Sequence, residues 1–301
     1  MSTVSNAKSP SLAEMIRSGS MVVAPGAYDC ITARLIEQAG YPAVYMTGAG
    51  TSAAHGLPDY GLLTMSEMVE NARRITSCIS VPLISDSDTG YGNELNAYRT
   101  VQEFERAGVS AIHIEDQVFP KKCGHLDDKE LVSLEDYTAK IRAAAAAKRS
   151  KDFLIIARTD ARAGAGFEEA VRRANAAAEA GADLIFPEAP QTLEEVAKVP
   201  QLVKAPCLLN MVLKGKTPHV NLNDAERMGY RITILPGMLI SSIIGLCDKM
   251  LAEVKETGEL SQPYSQSGPG GIFARFGASE WDGRRTAYRA PVAPSKRSAA
   301  E

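Results

Sequence analysis

The sequence is short of the features that mark several specialised classes of protein. Its five cysteines (Cys30, Cys78, Cys123, Cys207 and Cys247) are scattered, odd in number and without a CxxC pair. That argues against a zinc site or a disulfide framework and for a reducing compartment, the cytoplasm. There is no basic excess: 33 Lys and Arg against 36 Asp and Glu leave a formal charge of −3. Nucleic acid is therefore not an expected partner. No apolar run approaches the roughly 20 residues needed to cross a bilayer, so no membrane association is expected. The opening MSTVSNAKSPS has no apolar core of the kind a signal peptide carries. No glycine-rich fingerprint follows the first apolar segment either. Ala24-Pro25-Gly26-Ala27-Tyr28-Asp29 is not GxGxxG, which disfavours an open dinucleotide-binding sheet.

What is present is a composition ordinary for a globular protein, 45% hydrophobic and 23% charged, arranged as an alternation. Short apolar segments at 21–24, 43–46, 81–85, 111–114, 153–157, 183–186, 207–209 and 231–235 read as strands. Helical periodicity separates most of them, at 28–39, 64–77, 96–107, 134–149, 167–180, 193–199 and 222–228, with a last helix at 240–256. Several of these helices end at glycine, the residue suited to a left-handed cap. A short amphipathic helix at 11–18 precedes them. Such alternation predicts a parallel sheet, and eight repeats predict closure into a (β/α)8 barrel of the α/β class, with an open doubly wound sheet as the alternative. Residues 1–245 are expected to form the barrel and its N-terminal helix. Residues 246–301 are expected to hold a C-terminal helix, an extension and a flexible tail. Pro25-Gly26 is expected to break the first strand. Phe273, Phe276 and Trp281 are expected to anchor the segment that follows residue 259.

Polar residues gather where the strands end: Thr47, Asp86, Asp88, Glu115, Arg158, Glu188 and Asn210. Scattered solvated charges would not select one face, and in a barrel the C-terminal face is where chemistry is done. The fourth segment is the richest. A buried strand at 111–114 delivers Glu115 and Asp116, then a loop with Lys121, Lys122, Cys123, Gly124 and His125. Asp86 and Asp88, at i and i+2 on a segment read as extended, point to one side. They repel unless a cation or a proton lies between them. The alternative is an ordinary polar turn, DTGYGN. The TGAGTS loop after the second strand has backbone amides suited to an anion, or is simply a tight turn.

With these residues in hand the chain resembles the isocitrate lyase / phosphoenolpyruvate mutase superfamily, and within it the 2-methylisocitrate lyase and 2,3-dimethylmalate lyase branch. The resemblance runs from about residue 10 to 255. It rests on YMTGAGTSA (45–53), SDSDTGYGN (85–93), HIEDQ (113–117), KKCGH (121–125), ARTDA (157–161), PE (187–188) and LLNM (208–211), all in barrel order. It implies Mg2+, with Mn2+ as a substitute, held directly by Asp86 and through water by Asp59, Asp88 and Glu115. It implies that Tyr45, Thr47, Gly48 and Ala49 hold the 2-hydroxy or 2-oxo carboxylate. Arg158, Glu188 and Asn210 would contact the cleaved bond or the distal carboxylate. The loop with Lys121, Cys123, Gly124 and His125 would close over the site, Cys123 donating a proton with its acidity set by the cations around it. The alternative for Cys123 is an inert buried thiol.

The implied reaction is a retro-aldol cleavage of a 2-hydroxy di- or tricarboxylate to a 2-oxo acid such as pyruvate and a carboxylic acid. Alternatives are an oxaloacetate hydrolase or decarboxylase, a carboxyphosphonoenolpyruvate or phosphonopyruvate C–P enzyme, and a barrel that binds without catalysis. Family members pair through exchanged C-terminal helices, so a homotetramer of helix-swapped dimers is implied. One departure bears on the substrate. Methylisocitrate lyases have an arginine shortly after the eighth strand, whereas this chain reads LPGMLIS, with Ser241 at the aligned place. A dicarboxylate is thus expected over a tricarboxylate, with Met238, Leu239 and Ile240 as apolar lining. Ser241 or Ser242 would be the group that favours oxaloacetate.

Overall fold

The computed structural model describes residues 10–125, 129–260 and 267–289. The expectations of a signal-free opening segment and of a disordered last dozen residues fall largely outside them. The chain begins with α1 (Leu12–Ser18), β1 (Val22–Ala27), α2 (Cys30–Gln38), β2 (Val44–Met46), α3 (Gly48–Ala54), α4 (Met65–Cys78) and β3 (Leu83–Asp86). It continues through α5 (Glu94–Arg106), β4 (Ala111–Glu115), α6 (Leu134–Ala147), β5 (Leu154–Thr159), α7 (Phe167–Glu179), β6 (Leu184–Pro187) and α8 (Leu193–Leu202). The last elements are β7 (Leu208–Asn210), α9 (Leu222–Met228), β8 (Ile232–Leu235), α10 (Met238–Thr257), α11 (Pro269–Arg275) and α12 (Ala278–Arg289). Two compact units are present, residues 1–245 and 246–301.

The eight strands form one parallel sheet in the order β6-β5-β4-β3-β2-β1-β8-β7. Its two ends meet where Ile185 and Cys207 form a parallel bridge and the Ile185 N–H donates to the Pro206 carbonyl at 2.9 Å. The sheet is thus the expected (β/α)8 barrel. Strand alternation sorts the side chains. Ile112 and Ile114 of β4 pack outward under the helices with Val101, Phe104, Tyr137 and Ile141. Ala111 points inward to a second cluster with Ile84, Ile156, Phe186 and Ile232. Leu12 and Ala13 of α1 belong to that inner cluster, and Arg17 reaches Asp152 just before β5 (3.9 Å). The N-terminal helix therefore covers the end of the barrel where the strands begin.

Register places the chemistry. Parallel pairing sets Asp86 beside His113, Glu115 beside Arg158, and Arg158 beside Phe186. Helix starts are fixed by side-chain caps: Thr64 and Glu67 form a reciprocal box on α4, as their spacing predicts.

Three local expectations are corrected. Pro25-Gly26 does not end β1, which runs on to Ala27, pairing with β8 through Pro25 and with β2 from Gly26. Proline's φ suits an extended chain, and the bare Cα of Gly26 lets β1 pass against the backbone of Pro236, where a Cβ would collide. The TGAGTS stretch is a helix, α3, capped by the Thr47 hydroxyl accepting from the Gly50 N–H at 3.4 Å. Beyond residue 259 the extension forms α11 and α12, and its aromatic residues are not the buried anchors expected. There Trp281 and Phe273 are mostly exposed (66% and 64%), and the Arg284 guanidinium lies 4.8 Å from the Trp281 ring centre.

Candidate active site

The floor of the site is carboxylate. Asp86, closing β3, is buried; its Oδ2 accepts from the Gly48 N–H (3.2 Å) and its Oδ1 from the Asp88 N–H (2.9 Å). Gly48 is required there, since a Cβ would overlap the Asp86 carboxylate. Asp88 is not on an extended segment. Its φ of 48° is left-handed, a region aspartate tolerates better than most residues, and this turn carries it to Lys121. The Lys121 ammonium sits 2.8 Å from Asp88 Oδ1 and 2.5 Å from Asp59 Oδ1. The two adjacent acids of β4 part company. Glu115 faces the site. Asp116 faces away, accepting from the Thr159 hydroxyl (2.6 Å), the Asp160 N–H (2.8 Å) and Arg173 (3.2 Å).

Burial and charge compete throughout this floor. Burial would raise the Asp86 carboxyl, yet the positive field of His113, Lys121 and Arg158 holds it at about 2. Burial drives His113 itself down to about 4, so near neutral pH that field comes from Lys121 and Arg158. Asp88 is pushed up to about 6 by burial and by Asp86, against the pull of Lys121. Glu115 is raised by burial, with Arg158 opposing. Burial disfavours the Lys121 charge, but Asp88, Asp86, Glu115 and Asp59 outweigh it and keep the lysine an ammonium.

Across from the floor, Arg158 closes a second network. Its guanidinium grips Asp160 with two bonds (Nε–Oδ2 2.9 Å, Nη2–Oδ1 3.1 Å). Nη1 lies 3.2 Å from Glu115, and the group stacks 5.2 Å from the Phe186 ring centre. Glu188, at the end of β6, accepts from Asn210 Nδ2 (3.2 Å) and lies 3.0 Å from His125 Nε2. Burial would raise its carboxyl, but Arg158 and His125 bring it below the usual range. The Lys216 N–H donates to His125 Nδ1 at 3.1 Å. Tyr45 Oη is 2.8 Å from His113 Nε2.

The loop after β4 lies down on these groups. The Gln117 amide brackets Lys122, donating to its carbonyl (2.8 Å) and accepting from its N–H (3.0 Å). The Cys123 N–H donates to the Asp59 carbonyl at 3.2 Å. Gly124 packs so closely that a Cβ would overlap Arg158 and Glu188. Lys129 donates to the Gly124 carbonyl and, at 2.9 Å, to Asp160. Cations were expected to set the acidity of Cys123, but the balance lies elsewhere. Burial, with Asp59 adding to it, pushes the thiol up to about 11 against the pull of Arg158. Near neutral pH the group is an S–H, able to give a proton.

Tyr45, Thr47, Gly48, Asp59, Asp86, Asp88, Glu115, Lys121, Cys123, Gly124, His125, Arg158, Glu188 and Asn210 thus come to one end of the barrel. Ala49 sits in the first turn of α3, where helix N–H groups have no earlier turn to bond. Ser241 and Ser242 are exposed on the first turns of α10, and the Ser242 hydroxyl donates to the Met238 carbonyl (2.7 Å). Arg231 is committed elsewhere, to the Gly19 carbonyl (2.7 Å). Sequence reasoning missed Asp160, His113 and Lys129. Asp160 and His113 lay inside quoted motifs, in ARTDA and HIEDQ, and inward alternation along β4 would have found His113.

The donor set fits a hard divalent cation. Oε1 of buried Glu115 has no hydrogen-bond partner among the described residues, and Oε2 has only the ion-pair contact to Arg158 Nη1 at 3.2 Å. Six carboxylates (Asp59, Asp86, Asp88, Glu115, Asp160, Glu188) face three fixed cations (Lys121, Lys129, Arg158). Among the described residues no three His, Cys, Asp or Glu side chains converge into a closed cage. A metal here would take few protein ligands and complete its shell with water, the habit of magnesium.

Comparison with known proteins gives the relatives. The family model described as phosphoenolpyruvate phosphomutase matches residues 12–255. The chain is 50% identical over 224 residues to 2,3-dimethylmalate lyase of Eubacterium barkeri, covering 74% of this chain and 78% of that one. It is 47% identical over 247 residues to 2-methylisocitrate lyase of Aeropyrum pernix, covering 82% and 80%. A crystal structure of 2,3-dimethylmalate lyase, described as a PEP mutase/isocitrate lyase superfamily member, superposes with a TM-score of 0.88 at 38% identity, covering 93% of this chain and 95% of that one.

The half-buried thiol makes a prediction independent of any activity. With Cys123 protonated below about pH 11, only about one molecule in a thousand carries the reactive thiolate at pH 8. Iodoacetamide labelling of the Cys123 peptide, followed by mass spectrometry, should still be accelerating at pH 10. A plateau near pH 8.5, the ordinary thiol value, would contradict this reading.

Proposed function

The chain belongs to the phosphoenolpyruvate mutase family, and from that membership we propose that it is a carbon–carbon lyase acting on a substituted malate. The observation that carries the proposal is the Cys123 loop folded over Arg158 and Glu188 and bonded to Asp59 of an acidic floor. Lys121, Asp86, Asp88, Asp59 and Glu115 form that floor. Mg2+, or Mn2+ in its place, held by Asp86 and through water by the other three carboxylates, would polarise the 2-hydroxyl and offset the charge of the substrate.

The protein's own groups divide the remaining work. Tyr45, Thr47, Gly48 and Ala49 orient the carboxylate at C1. Arg158, Asn210 and His125 hold the distal carboxylate, and the Asp160 fork keeps Arg158 from swinging away. The 2-hydroxyl gives its proton to a carboxylate of the floor and its oxygen becomes the C2 carbonyl; as the C2–C3 bond breaks, its electron pair passes to C3, where the neighbouring carboxylate delocalises it. The Cys123 S–H then gives its proton to C3, and the 2-oxo acid and the carboxylic acid separate. A partly buried donor on a closed loop suits the step, because water kept from C3 cannot protonate it in the wrong place. Gly124 permits that exclusion by letting the loop seat on Arg158 and Glu188. All five cysteines are free, which accords with a reducing, cytoplasmic compartment.

The same reading includes a homotetramer of helix-swapped dimers. α10 has 20 residues, none buried, although Ile244 and Leu251 are 54% and 69% exposed. An apolar helix face left open in one chain supports burial against another.

Two measurements test the proposal. Cys123→Ala should lower kcat on 2,3-dimethylmalate by roughly 10²–10⁴-fold, the usual worth of a general acid, with pyruvate followed by coupled lactate dehydrogenase. Cys78→Ala, outside the site, should leave the rate intact, and equal behaviour of the two variants would make Cys123 structural. Light scattering at micromolar concentration should give about four times the chain mass of 32.2 kDa, and a monomer would sink the assembly.

A further inference from the structure

The β7 side of the barrel mouth carries a cavity of about 330 Å3. Its walls include Met211, Val212 and Leu213 from the segment after β7, Leu235 at the end of β8, and Met238 at the start of α10. The segment that builds it is also part of the site. Asn210, bonded to Glu188, immediately precedes Met211. The Lys216 N–H holds His125, and Gly215 packs so near that ring that a Cβ would come within 2.8 Å of it. In the closed order of strands β7 lies across the barrel from β3. The acidic floor on β3 and β4 and the cavity beside β7 and β8 therefore lie on opposite sides of the barrel mouth.

Resting on the lyase reading above, we infer that the substrate carries at C3 an apolar substituent of several carbons, which this cavity receives. The floor takes the half that becomes the 2-oxo acid. The C3 half, next to Cys123, His125 and Glu188, lies toward the cavity. At ~30 Å3 for each water-sized group, the space holds on the order of ten heavy atoms, far more than one methyl group. Two methionines among the walls suit a chain of adjustable shape. Thr217 Oγ1, on the same wall, is buried and has no hydrogen-bond partner among the described residues, which leaves room for one oxygen on the substituent. Lys214 is the rival feature: it lines the cavity but is exposed, and it would favour a substituent ending in a carboxylate.

The test is steady-state kcat/KM for 2-methylmalates bearing methyl, propyl or pentyl at C3, with 2-methylisocitrate as the charged comparator, on the full chain with Mg2+. Each buried methylene should raise kcat/KM about fourfold, so pentyl should exceed methyl by on the order of 10²-fold. Met238→Trp, which narrows the cavity, should cut that ratio several-fold. A wild-type series that is flat or falls with chain length, while methyl is still cleaved, overturns the inference and leaves the lyase standing. So does preference for 2-methylisocitrate, which would pass the role to Lys214. Release of no 2-oxo acid from any of these malates overturns both.

Discussion

The constraint on which the site depends is an excess of buried carboxylate. Asp59 and Asp88 pair with one ammonium, Lys121, within the field of Asp86 and Glu115, while Glu115, Asp160 and Glu188 share one guanidinium, Arg158. Uncompensated charge in such a place is costly; breaking one buried pair typically costs about 3–5 kcal/mol. The fold meets that cost by fixing every neighbour. Strand register sets Glu115 against Arg158, the α3 N–H of Gly48 bonds Asp86, and the left-handed turn at Asp88 delivers it to Lys121. A dianionic substrate could not approach this floor without a counter-charge. Under the lyase reading, that excess would favour a divalent cation together with an anionic ligand.

The loop after β4 depends on the floor in turn. Lys121 anchors one end of it to Asp59 and Asp88, while Lys129 ties Gly124 to Asp160. Between these two cationic anchors lies Cys123, and burial there pushes its pKa up to about 11. The thiol thus owes its protonated state to the closure of the loop more than to any single neighbour. Removal of either anchor would expose the sulfur and the site together.

Much of this was legible in the sequence because barrels write their chemistry at strand ends. Eight apolar segments, six of them with a polar residue at their ends, gave the architecture, and the glycine stops gave the helix ends. What escaped were effects of backbone geometry and burial that spacing does not encode. Asp86 and Asp88 look like neighbours on one extended face, yet they meet because Asp88 turns left-handed. Thr47 to Ser52 look like a glycine-rich turn, yet the Thr47 hydroxyl caps them into a helix. Lys121 and Lys122 beside Cys123 suggest a depressed thiol, yet desolvation outweighs them. Asp160 reads as a spare acid in ARTDA until its fork with Arg158 is seen. Ser241 takes the aligned place of an arginine, but in the folded chain it lies exposed on α10.

The central claim is that the acidic floor works only with a divalent cation upon it. The direct measurement is turnover of 2,3-dimethylmalate after exhaustive chelation, then after titration with Mg2+, with heat of Mg2+ binding recorded on wild type and Asp86→Asn. The account predicts no turnover without metal, recovery with Mg2+ or Mn2+, and binding heat lost or greatly weakened in Asp86→Asn. Full activity in the chelated protein, or unchanged Mg2+ binding without the Asp86 carboxylate, would contradict it.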